Sequence, residues 1–83
     1  MSYVWISAIV EWDKLTQAGK KQMISAMVSG DVLDKLAILE TKNVELLLAI
    51  IANKNTYTNT LDLLWKHPSK KVQAAVMQRK SVH

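Results

Sequence analysis

The sequence predicts an all-α chain of about six short helices, arranged as a stack of three helical hairpins. Three observations predict it. Two glycines and one proline in 83 residues leave little punctuation for a β-rich fold. Apolar residues recur at helical spacing along the whole chain. Three segments also align without gaps, and such self-similarity marks a repeat architecture.

The first helix spans about 3–14 and follows Ser2. The second, 17–29, follows Thr16 and closes at Gly30, a residue suited to a left-handed helix end. The third, 32–40, follows Asp31, and the fourth, 44–53, follows Asn43. The fifth, 59–66, follows Thr58, and the sixth, 70–80, follows Ser69. In each case a short side-chain oxygen can accept from the free N–H groups of the first turn. Pro68 cannot continue the fifth helix and disfavours helical geometry at His67.

The aligned segments are 12–27, 33–48 and 61–76. Each opens near an aspartate: Asp13, Asp34 and Asp62. Leu15, Leu36 and Leu64 stand two positions on, and Lys21, Lys42 and Lys70 eight positions on. Met23, Val44 and Val72 then open the apolar face of a second helix, with Met27, Leu48 and Val76 one turn further. The spacing is 21 residues and then 28, the difference being absorbed by loop 53–58. The chain is thus one domain, 1–83, with units of about 3–29, 31–53 and 58–80. A single hairpin cannot bury its own apolar faces, so its neighbours supply the missing walls. About three units are the least such a stack can use.

The third unit has Asn55 and Thr56, then Leu61 and Leu64, Pro68, and the run Val72-Gln-Ala-Ala-Val76. This pattern resembles the leucine-rich repeat variant, a relative of HEAT-type α-solenoids. The match covers about residues 53–77. Unit two replaces the run with Val44-Glu-Leu-Leu-Leu48 and has no preceding proline. The resemblance implies a short, curved, right-handed α-solenoid used for binding. Some family members carry a cysteine-bound cluster outside the repeats. This chain has no cysteine, so that feature does not transfer.

Composition narrows the function. Without cysteine, disulfides and thiolate–metal sites are excluded. An apolar fraction of 49 % is too high for a disordered tail. The longest apolar run is seven residues, against about 20 for a membrane-spanning helix. The apolar start has no basic region before it and no cleavage site after it, so a cytoplasmic protein is expected. His67 and His83 have no paired ligand or triad partner, and His67 reads as a solvated turn residue. Gly19 and Gly30 are isolated and cradle no phosphate. No catalysis, cofactor or metal is expected.

Two surfaces remain. The first helix is apolar nearly all round, with only Ser7 and Glu11 as a polar strip. Tyr3, Trp5, Ile6, Ile9 and Trp12 are the candidate partner contacts, since exposed aromatic patches mark interfaces. They would serve a protein partner or a homodimer through that helix. Charge is also uneven. Residues 1–62 carry six lysines against seven acids, whereas 63–83 carry Lys66, Lys70, Lys71, Arg79 and Lys80 and no acid. This basic patch could solubilise the end of the stack, or meet nucleic acid or an anionic membrane surface. The expected function is therefore a non-catalytic interaction module, a small adaptor or inhibitor of another protein. In general type it is similar to the accessory regulators of phages and mobile elements, such as antiholins or host-protein inhibitors. The alternative is a nucleic-acid-binding module that uses the basic C-terminal helix.

Overall fold

The computed structural model describes residues 11–81. Among these residues the chain is all-helical, with five α-helices, one 3-10 turn and no strand. The 3-10 turn is Trp12–Lys14. The helices are α1 (Gln17–Ala26), α2 (Gly30–Leu39), α3 (Val44–Ala52), α4 (Thr58–Trp65) and α5 (Lys70–Ser81). They match the expected second to sixth helices to within a few residues. The body of the expected first helix lies outside the described residues. Its end, at 12–14, is the 3-10 turn.

Local chemistry explains most of the starts. The Gly19 N–H donates to Thr16 Oγ1 at 3.1 Å, and the Leu46 N–H donates to Asn43 Oδ1 at 3.4 Å. The Val72 N–H points at Ser69 Oγ at 3.5 Å. Two expected caps differ. Ser29, rather than Asp31, caps α2, with the Val32 N–H on its Oγ at 3.3 Å, so the helix begins two residues early. Asp31 falls in the first turn instead, where a carboxylate complements the helix dipole. At α4 the cap residue is Tyr57, without a side-chain bond, and Thr58 is already helical.

Gly30 also has a different task. It opens α2 and does not take a positive φ. What requires glycine is close approach: a Cβ there would stand 2.6 Å from Tyr57 Cδ1 and nearer still to the ring edge. Alongside, the negative charge of Asp31 and a hydrogen bond to it raise the Tyr57 phenol above its usual value. Gly30→Ala is expected to push the ring off Asp31. Tyr57 is half-exposed and can yield, so stability should change by no more than about 1 kcal/mol. In a Tyr3→Phe background, the Tyr57 phenolate absorbance should then develop at lower pH than in the parent. An unchanged titration curve would refute this.

The core is centred on α3. Leu46, Leu47, Ile50 and Ile51 are all buried, as suits a helix with neighbours on several sides. Helix α3 packs against α1, α5 and α2, and α4 packs against α2 and α5. Ile24, Ile50 and Val76 lie at 26-residue intervals on α1, α3 and α5, and each is fully buried. In α2 and α4 the matching pairs are Leu33 with Leu61 and Leu36 with Leu64, 28 apart and buried. The expected spacing of 28 therefore holds for these two helices. It fails for the other row, where Val44 and Leu48 are only half-buried while Leu46 and Ile50 are fully so. Over the 21-residue step, Met23 and Val44 are both half-buried, whereas Met27 is buried and Leu48 half-buried. The pattern slipped because Val, Leu and Ile interchange along α3, which is apolar at eight of its nine positions.

Hydrogen bonds between helices repeat the same interval. Asn53 Nδ2 donates to the carbonyls of Ile24 and Met27 at 2.7 and 2.8 Å. One step along, the Arg79 guanidinium donates to the carbonyls of Ile51 and Asn53. Each side chain thereby binds carbonyls at the C-terminal end of the helix before it in the row, where the regular helical ladder runs out. Gln17 and Asn43 exchange two amide bonds at 2.9 Å, and Thr60 Oγ1 donates to Asp34 Oδ1 at 2.6 Å.

Candidate interaction surfaces

Tyr3, Trp5, Ile6 and Ile9 lie outside the described residues. Trp12, expected on the same exposed face, is a core residue at 1 % exposure. Its indole N–H donates to Glu40 Oε2 at 2.5 Å. Lys20 reaches the same carboxylate oxygen at 3.4 Å and stands 5.4 Å from the centre of the Trp12 ring. The ring is thus held by a hydrogen bond and a cation–π contact at once.

The basic patch divides in two. Arg79 is half-buried and spends its guanidinium on the carbonyls of Ile51 and Asn53. Lys80 pairs with Asp62. These two are structural cations. Lys66, Lys70 and Lys71 are exposed and free of such bonds, and they surround the loop that leads into α5. The three aspartates at matching repeat positions have different surroundings. Asp34 accepts from Thr60, Asp62 pairs with Lys80, and Asp13 stands exposed in the 3-10 turn.

His67 is not the solvated turn residue expected of it. Its Nδ1 accepts the Ser69 N–H at 3.0 Å, and its Nε2 lies 2.6 Å from the Thr41 carbonyl. A carbonyl only accepts, so the neutral ring carries its proton on Nε2. His67 thereby ties the loop after α4 to the loop after α2, and the Gln73 amide donates to its carbonyl at 2.6 Å.

Beside His67 lies a surface that sequence patterning missed. Helices α2 and α4 leave a groove of about 340 Å³ between them. Ala37, Ile38, Leu63, Leu64 and Pro68 give it an apolar lining, and Thr41, Lys66 and His67 close one end. Ile38 is 60 % exposed and Leu63 47 % exposed, on opposite walls. Leu39 and Trp65 are also exposed on these two helices. The available signal was weak: Ile38 and Leu63 sit off the buried stripe of their helices, among polar positions. A wider hollow of about 610 Å³ follows residues 39–45. One continuous stretch of chain lines it, so it has no second wall.

Among the described residues, no group of three or more His, Asp or Glu side chains could hold a metal ion. No described helix is long and apolar enough to cross a membrane. In comparisons with known proteins, no family model, curated protein or solved structure matches the chain.

Proposed function

We propose that the chain is a non-catalytic protein-interaction module, folded as a short α-solenoid and working in the cytoplasm. The stacked arrangement is supported by the neighbours of each helix. Helices α1, α3 and α5 follow one another in one row, and α2 and α4 in a second. It is supported also by carbonyl-capping side chains that recur at Asn53 and Arg79, 26 residues apart. The protein-binding role rests on one observation above others: the groove between α2 and α4, walled by exposed Ile38 and Leu63. Apolar side chains grouped around a concavity mark sites where a partner removes them from water.

The test is photo-crosslinking in the cells that express the chain. A photoreactive residue is placed at Leu63, or at Gln22 on the exposed side of α1 as control. Position 63 should yield protein adducts absent from position 22, reduced about tenfold by Ile38→Glu. Identical adducts from both positions, or none from position 63, would overturn the proposal. Of the five cations of the nucleic-acid alternative, Arg79 is turned to carbonyls at the end of α3 and Lys80 pairs with Asp62 at the surface.

A further inference from the structure

We infer that the groove between α2 and α4 takes an acidic amphipathic segment of the partner. Its apolar side chains would seat on Ile38 and Leu63, and its carboxylates would face Lys42 and Lys66. This rests on the protein-binding reading above and names the chemistry of what is bound.

The charge pattern carries the inference. Glu11, Glu40, Glu45 and Asp62 are each ion-paired with a lysine of the fold. Asp34 accepts from Thr60, and Asp31 is bonded to Tyr57. Of the described acids this leaves Asp13, in the 3-10 turn ahead of α1, outside the two helices that wall the groove. A hydroxyl donor leaves a carboxylate its charge, so Asp31 and Asp34 stay negative, but both stand in the first half of α2, a turn or more before Ile38. At the other end of the groove the charges outside any ion pair are positive. Lys66 lines it, and Lys42 follows Thr41, which lines it too. Both lysines are exposed. An apolar floor flanked by unpaired lysines complements a segment with apolar anchors and flanking carboxylates. Helices of ten and eight residues give walls of about 12–15 Å, room for about two turns of a bound helix.

Other occupants fit less well. A second copy would set lysines against lysines across the same groove. A nucleic acid would want aromatic rings to stack on, and no Trp, Tyr or Phe lines the groove, while the His67 ring is held by the Thr41 carbonyl and the Ser69 N–H.

The test is a selection from displayed random peptides of about 16 residues, long enough for the two turns plus flanks. Enriched peptides should carry apolar residues at i and i+4 with Asp or Glu beside them. By fluorescence anisotropy, synthetic versions should lose about tenfold or more in affinity to Leu63→Glu. Added salt should weaken them. Lys66→Glu, in an exposed loop, should weaken them several-fold and be rescued when the facing Glu of the peptide becomes Lys. Circular dichroism of each variant should show the helices intact. Enrichment of neutral or basic peptides would overturn the inference, as would binding indifferent to Leu63→Glu or no enrichment at all. A dimer by light scattering that Leu63→Glu dissolves would also overturn it. So would a short single-stranded DNA bound through Lys66 and indifferent to Ile38→Glu. Protein adducts at position 63 alongside non-acidic peptides would sink the acidic occupant alone. Loss of both would sink the protein-binding reading as well.

Discussion

Asn53→Leu is expected to destabilise the fold by about 3 kcal/mol, because three hydrogen bonds of the buried amide disappear together. Leu keeps the branched heavy-atom skeleton of Asn and is apolar, so the loss is chiefly that of the polar contacts. The Asn53 Nδ2 donates to two carbonyls at the end of α1, and its Oδ1 accepts the Asn55 N–H at 2.7 Å. Some relief remains, since the Ile24 carbonyl still receives the Met27 N–H and the Met27 carbonyl still receives the Asn55 amide. That relief holds the cost near about 1 kcal/mol per bond rather than the larger penalty of a fully orphaned group. A chain of this size has about 4–12 kcal/mol of stability in all. The melting temperature should fall by about 12–24 °C. Asn55→Ala, which removes one weaker bond at 3.2 Å, should cost under about 1 kcal/mol. Equal melting temperatures for the two variants would refute the role given to Asn53.

A second large effect is expected at Ile50. It is fully buried at the middle of α3, so Ile50→Ala should cost about 2–5 kcal/mol through lost burial and the cavity left behind. The same substitution at Ile38, 60 % exposed, should change stability by less than about 0.5 kcal/mol. The pair separates core from surface with the chemistry held constant. Urea unfolding with a shared m-value is the measurement. A cost above about 2 kcal/mol at Ile38 would mean that its side chain is structural and would remove it from the groove's binding surface.

What the sequence disclosed followed from how local each cause is. Thr16, Asn43 and Ser69 could be read as caps because a cap acts on N–H groups two or three residues away. Helix positions after residue 16 were legible for the same reason. Gly30 was misread, since its need for glycine comes from the ring of Tyr57, 27 residues distant. Arg79 looked like a free cation and Asn53 like a loop residue, because their carbonyl partners lie 26 or more positions back in the chain. His67 was taken as solvated because nothing local showed the Thr41 carbonyl opposite it. The groove depends on how two helices meet. Apolar spacing within either helix could not show it.

The side-chain bonds between helices link residues 18 to 29 positions apart in a chain of 83. Short links of this kind have a kinetic consequence. Closing loops of that size costs little conformational entropy, and chains rich in near-neighbour contacts fold fast. Helix α3, flanked by α1 and α5, is held from both sides, whereas α5 leans only on helices that precede it, α3 and α4. Amide exchange should therefore be slowest in α3 and quickest toward α5, with opening that starts at an edge and stops before the middle. The groove straddles α2 and α4, and of these α2 packs on the central α3 while α4 packs on α5, so opening at that edge reaches one wall before the other.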